Sequence, residues 1–316
     1  MASSFRSTAV VGAGAVGSFF GAMLARAGQP VTLIARPAHV EAIERAGLRL
    51  DKGGRSETIR LAARPDIAGV RGAGLVLFCV KSTDTEAVAR EMAPHLDDDA
   101  LVVSLQNGVE NAATIARHVR QRVVPAVVYV ATAMPAPGVV AHYGRGDLVV
   151  GPLDAAAAAD PALAPRLRAL VDLFASADVP VRISADVMAE LWSKLMVNCA
   201  YNAISGLAQA SYGVLAEVAE VRALQEAVVR EVVALAAAEG VDLALEPSLE
   251  AMRRIAGAMP AQLSSTAQDM ARAKPSEIDH LNGFVARRGR ALGVATPANQ
   301  ALYALVKLVE SARPSR

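Results

Sequence analysis

The arrangement of apolar and polar positions differs between the two halves of this 316-residue chain. In the first half, short apolar runs rich in β-branched residues alternate with segments of helical periodicity. This pattern predicts a parallel sheet that is covered by helices on both faces. The predicted strands are 8–11, 31–35, 75–80, 101–104 and 124–130, and the predicted helices are 15–27, 38–46, 85–93 and 109–119.

Two segments add antiparallel pairs to this plan. Short alternating runs between residues 48 and 61, broken at Lys52-Gly53-Gly54, predict an inserted hairpin. A second antiparallel pair is predicted over 139–150, with its turn at Gly144-Arg145-Gly146. A helix at 161–176 and a strand at 180–183 complete the first half.

The residues after Ser184 carry helical patterns and no strand signal. The predicted helices are 186–205, 215–239, 248–258, 261–272, 277–292 and 298–311, with stops at Gly206, Gly240, Pro247, Pro260, Pro275 and Gly293. We therefore expect a mostly parallel α/β domain over residues 1–184, followed by an all-α domain over residues 185–316. A cleft between two such domains is the natural place for a small-molecule site.

The first strand runs directly into the pattern G-x-G-x-x-G at residues 12–17. The order of strand, glycines, helix and second strand is typical of a Rossmann-type dinucleotide-binding domain. Gly12 permits the tight turn, Gly14 lets a pyrophosphate approach the backbone, and Gly17 lets the helix pack against the strand. The phosphates would bind the free N–H groups where the helix begins, at Ala15 and Val16. A glycine-rich turn that binds no ligand is the alternative.

The end of the second predicted strand indicates which dinucleotide is bound. NAD-binding domains carry an acidic residue there, about 20 residues after the glycines, for the ribose 2′-hydroxyl. This chain has Arg36 and no acidic residue between Val31 and Val40. Because a cation suits a 2′-phosphate, we expect NADP(H). A solvated arginine at the start of a helix is the other interpretation of Arg36.

Bulk composition argues against several function classes. The 32 basic and 31 acidic residues give a net charge of +1, which offers no field for nucleic acid or an anionic membrane. Cys79 and Cys199 have no metal-ligand spacing and predict buried thiols in a reducing compartment, so we expect a cytoplasmic protein without a metal site. The uncharged stretch 123–141 is as long as a membrane span, but its prolines predict strand, turn and strand.

Polar side chains follow two of the predicted strands. Lys81 comes directly after one strand, and Asn107 comes after the next. Open α/β sheets bind ligands at the carboxyl ends of their strands, so both side chains are candidates for a ligand site. Lys81 can also simply end its strand in solvent, and Asn107-Gly108 can be only a turn.

A polar stripe runs along one face of the first predicted helix of the second half. Lys194, Asn198 and Asn202 recur at i, i+4 and i+8, so they share one face of a mostly apolar helix. Hydride transfer to a carbonyl carbon leaves a developing alkoxide, which a nearby ammonium can stabilise and protonate. A surface ion pair between Glu190 and Lys194, four residues apart, is the alternative.

Together these motifs resemble the ketopantoate reductase (2-dehydropantoate 2-reductase) family over nearly the whole chain. They are G-x-G-x-x-G with Arg36, V-K at 80–81, Q-N-G at 106–108, W-x-K-L-x-x-N-x-x-x-N from Trp192, S-S-x-x-Q-D from Ser264 and E-I-D-x-x-N-G from Glu277. The resemblance implies reduction of 2-dehydropantoate to (R)-pantoate by NADPH, a step of pantothenate biosynthesis.

The resemblance also implies roles for individual residues. Lys194 would be the general acid, Glu277 would help to position the substrate and the lysine, and Asn107 would bridge the cofactor and the reacting centre. Asn198, Asn202 and Ser265 would hold the carboxylate and hydroxyls of the substrate, and Lys81 would reach the cofactor.

Two departures from the family pattern affect the choice of substrate. Asp84 stands three residues after Lys81, where the family often has glutamine, and segment 207–212 lacks the further asparagine that some members place near the substrate. The alternatives are a related NADPH-dependent reductase of another 2-oxo acid and an NADP(H)-sensing protein without turnover. Long helices such as 215–239 can bury apolar faces against a second subunit or within the domain, so a homodimer is one of two expectations.

Overall fold

The computed structural model describes residues 5–312, and the first of its two compact units ends at Val187. The strands of this unit are β1 (Thr8–Val11), β2 (Val31–Ile34), β3 (Leu48–Lys52), β4 (Arg55–Ile59), β5 (Ala62–Arg64), β6 (Leu75–Phe78), β7 (Leu101–Ser104), β8 (Arg122–Ala136), β9 (Val139–Val150) and β10 (Val181–Ile183). Its helices are α1 (Ala15–Arg26), α2 (Pro37–Ala46), α3 (Thr85–Met92), α4 (Asn111–Ala116), α5 (Ala155–Ala159) and α6 (Leu163–Ser176).

The strands form one sheet in the order β4-β3-β9-β8-β7-β6-β1-β2-β5, with β10 paired to β9. The β8–β9 and β3–β4 pairs are antiparallel, whereas β5, β2, β1, β6, β7 and the first part of β8 run parallel to one another. All residues of β1, β6 and β7 are buried, because helices cover both faces of a parallel sheet. The prediction of a mostly parallel α/β domain is confirmed.

Alternate residues of the central strands enter two different cores. Val10 and Leu77 pack in one cluster with Phe20 of α1 and Phe174 of α6. Their strand neighbours, such as Val76, face the opposite side and pack in a second cluster with residues of α3 and α4. This alternation follows from the two-residue period of a strand, and it fixes which face of the sheet each helix covers.

The predicted position of the turn in the second antiparallel pair is wrong. β9 runs without reversal through residues 144–146 and pairs with β8 along its length. The register between these strands shifts beside Val130 and Thr132, and Arg145 and Gly146 adopt positive φ, so the glycines serve an irregularity within the strand. The chain reverses instead between β8 and β9, where Gly138 has a φ of 76°.

The second unit begins at Met188, and its described part contains helices and no strand, as predicted. The helices are α7 (Val187–Ala208), α8 (Tyr212–Glu217), α9 (Ala219–Ala238), α10 (Leu245–Ala258), α11 (Ser265–Ala271), α12 (Asn282–Leu292) and α13 (Pro297–Ser311). The predicted helix 215–239 is broken at Val218, which has an extended conformation between α8 and α9. Among residues 5–312 there is no helix with the length and apolar character that crossing a bilayer requires. The homodimer stays a prediction.

Two predicted helix stops lie inside helices. α7 continues through Gly206, where a Cβ atom would come within 2.8 Å of Thr266 and Met270 side-chain atoms. The glycine is therefore there to let α11 approach α7 closely. Pro247 lies in the first turn of α10, where backbone N–H groups have no partner within the helix and proline costs little.

Candidate active site

The candidate residues of the first unit lie at one edge of the sheet. Residues 12–17 follow β1, and Arg36, Lys81 and Asn107 come shortly after β2, β6 and β7. These four strands are adjacent and parallel in the order β7-β6-β1-β2, so their carboxyl ends meet at the same edge. This is the edge at which open α/β sheets bind ligands. Arg36 and Lys81 are exposed there, and Asn107 is half-buried.

Glycine stands at each of the three positions of the first turn for a different physical reason. Gly12 has a φ of 79°, and a Cβ there would lie 2.6 Å from the Val80 backbone nitrogen. A Cβ on Gly17 would lie 2.9 Å from Cγ1 of Val10, so close packing of α1 on β1 requires this glycine. Gly14 has an ordinary φ of −78°, and its Cβ would meet nothing nearer than a carbonyl oxygen at 4.0 Å. Nothing within the described protein requires glycine at position 14, which fits a backbone that a ligand approaches.

The start of α1 is suited to an anion. Its N-cap, Gly14, provides no side-chain hydrogen bond, and the first turn holds no acidic residue. The backbone N–H groups of Ala15, Val16 and Gly17 belong to this first turn, where an α-helix supplies no acceptor of its own. With the positive end of the helix dipole they form an arrangement that binds phosphate groups.

Buried polar side chains hold the loops of Lys81 and Asn107 together. Ser82, which follows Lys81, donates from Oγ to the Asn107 carbonyl at 3.3 Å. Asn111 donates from Nδ2 to that carbonyl and to Ser82 Oγ. Gln106 donates from Nε2 to the Val80 carbonyl at 3.0 Å. The structure therefore brings Lys81 and Asn107 together through their loops. The part that Asn111 plays was not predicted from the sequence.

The predicted stripe on the second unit lies along α7. Lys194 and Asn198 are half-buried, and Asn202, one turn further on, is only 3% exposed. Asn202 Nδ2 donates to Ser265 Oγ of α11 at 3.4 Å, so the structure joins two residues that were predicted to bind substrate. Ser264, the N-cap of α11, donates to the Asn202 carbonyl at 3.2 Å and fixes α11 against α7.

Tyr212 contacts the candidate residue Asn202, and the sequence analysis did not identify it. Its hydroxyl donates to Asn202 Oδ1 at 3.4 Å, on the other side of the amide from Ser265. Burial, together with the neighbouring Tyr201, raises the pKa of Tyr212 to about 12, so the hydroxyl keeps its proton near neutral pH. Tyr212 is the last residue of segment 207–212, in which the sequence analysis found that the further asparagine of some family members is absent.

Glu277 lies at the start of a short turn that is firmly anchored. The turn, Ile278–His280, holds Asp279, which accepts from Tyr303 Oη at 2.6 Å and from Lys307 Nζ at 3.0 Å. Burial opposes ionisation of Asp279, but these two hydrogen bonds, together with the positive charges of Lys307 and Arg287, lower the pKa of the carboxyl. Further along, Asn282 donates to the Cys199 carbonyl of α7 at 3.1 Å, so the Glu277 segment is tied to the helix that carries Lys194.

The two cysteines are free, Cys199 buried and Cys79 half-buried, and burial raises the pKa of both thiols. Within residues 5–312 no group of three or more histidine, cysteine or acidic side chains is placed to hold a metal ion.

Comparison with known proteins covers both units. The family model described as ketopantoate reductase PanE/ApbA matches residues 8–155, and the model of its C-terminal domain matches residues 186–310. The 2-dehydropantoate 2-reductase of Halobacterium salinarum is 33% identical over 304 residues, which are 95% of this chain and 98% of that protein.

Two solved structures share the fold. A PanE/ApbA family ketopantoate reductase from Ralstonia eutropha JMP134 has a TM-score of 0.89 and 52% identity, with 96% of this chain and 98% of that chain covered. A D-mandelate dehydrogenase, solved with NADH and anilino(oxo)acetate, also has a TM-score of 0.89, with 97% of this chain and 99% of that chain covered. At 24% identity this second likeness concerns the fold alone. The chain belongs to the ketopantoate reductase family of oxidoreductases.

Proposed function

We propose that this protein reduces 2-dehydropantoate to (R)-pantoate with NADPH. The observation that carries the proposal is the polar stripe of α7, in which an ammonium and two amides share one face and Asn202 meets Ser265 at 3.4 Å. Amide and hydroxyl groups of this kind can bind both a carboxylate and a hydroxyl, and the proposed substrate carries both. The match to the family models over both units supports the same assignment.

The first unit would hold the cofactor, which supplies a hydride when bound. The N–H groups of Ala15, Val16 and Gly17 would bind the pyrophosphate beside the open backbone of Gly14. Arg36 would pair with the 2′-phosphate, because a guanidinium binds phosphate with two parallel hydrogen bonds. Lys81 and Asn107, held by the shared polar contacts of their loops, would border the reactive end of the dinucleotide.

Lys194 would serve as general acid for the ketone oxygen. As the carbonyl carbon is reduced, its oxygen acquires negative charge, and the Lys194 ammonium would first stabilise that charge and then donate a proton to it. The lysine is left neutral and regains its proton from solvent. Glu277 would position the lysine and substrate, from a turn that Asn282 ties to α7.

Two other functions remain to be tested against this one. A related reductase would use the same residues on a different 2-oxo acid, and a sensing protein would bind NADP(H) without turnover. The intact set of Lys194, Asn198 and Glu277 disfavours the sensing protein, because binding alone does not need a proton donor.

An activity panel with NADPH and NADH separates the three functions. Ketopantoate, ketoisovalerate, pyruvate and phenylglyoxylate would each be offered to the purified full-length protein while oxidation of the nicotinamide is followed. Ketoisovalerate lacks the hydroxymethyl group of ketopantoate and with it the hydroxyl. We expect kcat/KM for ketopantoate to be higher by at least about 10²-fold, since a site that hydrogen-bonds a hydroxyl rejects an analogue without it. Turnover of another 2-oxo acid but not of ketopantoate would favour the related reductase. Tight NADPH binding without any turnover would favour the sensor.

A further inference from the structure

A buried histidine joins three elements near the cofactor edge of the sheet. His39 of α2 is 4% exposed, and its Nδ1 accepts from the backbone N–H of Gly138 at 2.8 Å. Its Nε2 lies 3.0 Å from Ser18 Oγ on α1. Because Nδ1 is the acceptor, the ring proton is on Nε2, which donates to the Ser18 oxygen. Burial lowers the pKa of His39, so the imidazole stays in this neutral form.

The chain of hydrogen bonds ends inside the glycine turn. Ser18 Oγ accepts the hydrogen bond from His39 Nε2 and donates to the Ala13 carbonyl at 3.1 Å. Ala13 lies between Gly12 and Gly14, so the imidazole is linked through one hydroxyl to the turn that would approach the pyrophosphate.

The backbone of the same histidine is hydrogen-bonded to the backbone of Arg36. The backbone N–H of His39 donates to the Arg36 carbonyl at 2.9 Å, and Arg36 is the N-cap of α2. The first turn of α2 therefore carries Arg36 at one end and, at the other, a side chain that is fixed to α1. The backbone of Arg36 is placed by these bonds, whereas its side chain is exposed.

Close packing also holds α2 against the turn between β8 and β9. Gly138 has a φ of 76°, and a Cβ there would lie 2.9 Å from the Cβ of Ala42, so the β8–β9 turn lies directly on α2. The bond from Gly138 to His39 thus joins two elements that are already in contact. α2 cannot move relative to the glycine turn without breaking buried hydrogen bonds, which are costly to leave unmade.

We propose that His39 is a positioning residue for cofactor selection, which holds Arg36 at a fixed distance from the glycine turn. A dinucleotide with a 2′-phosphate must bind at both places at once, and preorganisation of two anchor points reduces the entropy lost on binding. A dinucleotide without that phosphate needs only the glycine turn. Loss of His39 therefore weakens the binding of NADPH much more than the binding of NADH. The proposal rests on the assignment of Arg36 to the 2′-phosphate.

The test is equilibrium binding of NADPH and NADH to the full-length protein, followed by nicotinamide fluorescence. We expect His39→Leu to raise the Kd of NADPH about tenfold, the scale of one hydrogen bond to a charged group, and to change the Kd of NADH less than twofold. Ser18→Ala removes one hydroxyl of the chain and is expected to give a smaller loss, about threefold, with the same selectivity. Equal weakening of both dinucleotides, or of neither, would overturn the proposal.

Gln29→Leu is the matched control for loss of stability. Gln29 is also buried in the first unit and donates to the Phe5 carbonyl at 3.0 Å, beside the amino end of β1. The Gln29→Leu variant should have a lower melting temperature and an unchanged ratio of the Kd values for NADPH and NADH. If His39→Leu does not fold, Ser18→Ala and His39→Gln decide the question, because glutamine keeps a donor for Ser18 and should recover part of the NADPH preference.

Arg36→Ala separates this proposal from the proposed function. If Arg36→Ala removes the preference for NADPH but His39→Leu and Ser18→Ala leave it intact, the positioning role is wrong and the 2′-phosphate site stands. If Arg36→Ala does not change the ratio of the two Kd values, the cofactor assignment itself is wrong.

Discussion

The cofactor edge of the first unit and the polar cluster of the second are constructed in different ways. At the edge, each candidate residue follows a strand, and the parallel sheet places the ends of neighbouring strands together. In the cluster, Asn202, Tyr212 and Ser265 come from three helices and meet through long, loose hydrogen bonds. The edge therefore depends on backbone geometry, and the cluster depends on side-chain contacts between helices. Substitutions should affect the two regions differently.

The largest expected effect concerns chemistry in the second unit. Lys194→Ala should lower kcat by at least about 10²-fold, the usual scale for loss of a positioned proton donor, while the Kd of NADPH stays within about twofold. Steady-state kinetics and NADPH titration measure the two quantities. Lys274→Ala, an exposed lysine of the same unit, is the control and should leave kcat unchanged. A Lys194→Ala variant with a near wild-type rate would remove this residue from the mechanism.

The next effect distinguishes two glycines of one turn. Gly12→Ala should lower the free energy of unfolding by about 2 kcal/mol or more, because the new Cβ would collide with the Val80 backbone at a positive φ. Gly14→Ala should change it by less than about 1 kcal/mol, because the position is open and has an ordinary φ. The Kd of NADPH should nevertheless rise about tenfold in Gly14→Ala, because the methyl group keeps the ligand from the backbone. Thermal melts and NADPH titration test this pair, and unimpaired binding by Gly14→Ala would show that no ligand approaches there.

A smaller effect is expected from the loose contacts of the cluster. Tyr212→Phe removes the hydroxyl that donates to Asn202, so KM for the 2-oxo acid should rise about fivefold with little change in kcat. Tyr201→Phe is the matched control, because the two rings are 4.6 Å apart but the Tyr201 hydroxyl donates to the Met252 carbonyl. It should cost stability and leave KM unchanged. The same KM in Tyr212→Phe and wild type would exclude Tyr212 from substrate binding.

The smallest effect concerns the response of the two units to acid. His39 has a folded-state pKa below its ordinary value of 6.5, so its contribution to stability is present above pH 6.5 and is lost as pH falls through the lower folded value. Asp279 has a folded-state pKa below 3.8, so its contribution is lost only in more acidic solution.

Melting temperatures measured from pH 8 to pH 3 test these windows. His39→Leu should reduce the fall of the melting temperature below pH 6.5 by about 1–2 °C. Asp279→Asn should reduce it by about the same amount, but only below about pH 4. Coincident changes in the two variants would show that the windows are assigned wrongly.

The sequence predicted most elements of the first unit because their signals are local. β1 and β7 have the predicted bounds, and the glycine turn lies between β1 and α1 as expected. The errors are also local in origin. Glycine marks a turn, a strand irregularity and a close helix contact alike, so the patterns at 144–146 and at Gly206 could not show which one applies.

By itself, the sequence determined the order of elements, the strand ends that carry the glycines and Arg36, and the face of α7 that carries Lys194. Each follows from a period of two or 3.6 residues, or from a turn of a few residues. Only the tertiary structure decided the contacts between distant residues. Asn202 and Ser265 are separated by 63 positions, and His39 and Gly138 by 99. Such pairs form where packed elements bring donors and acceptors together, and no local pattern carries that information.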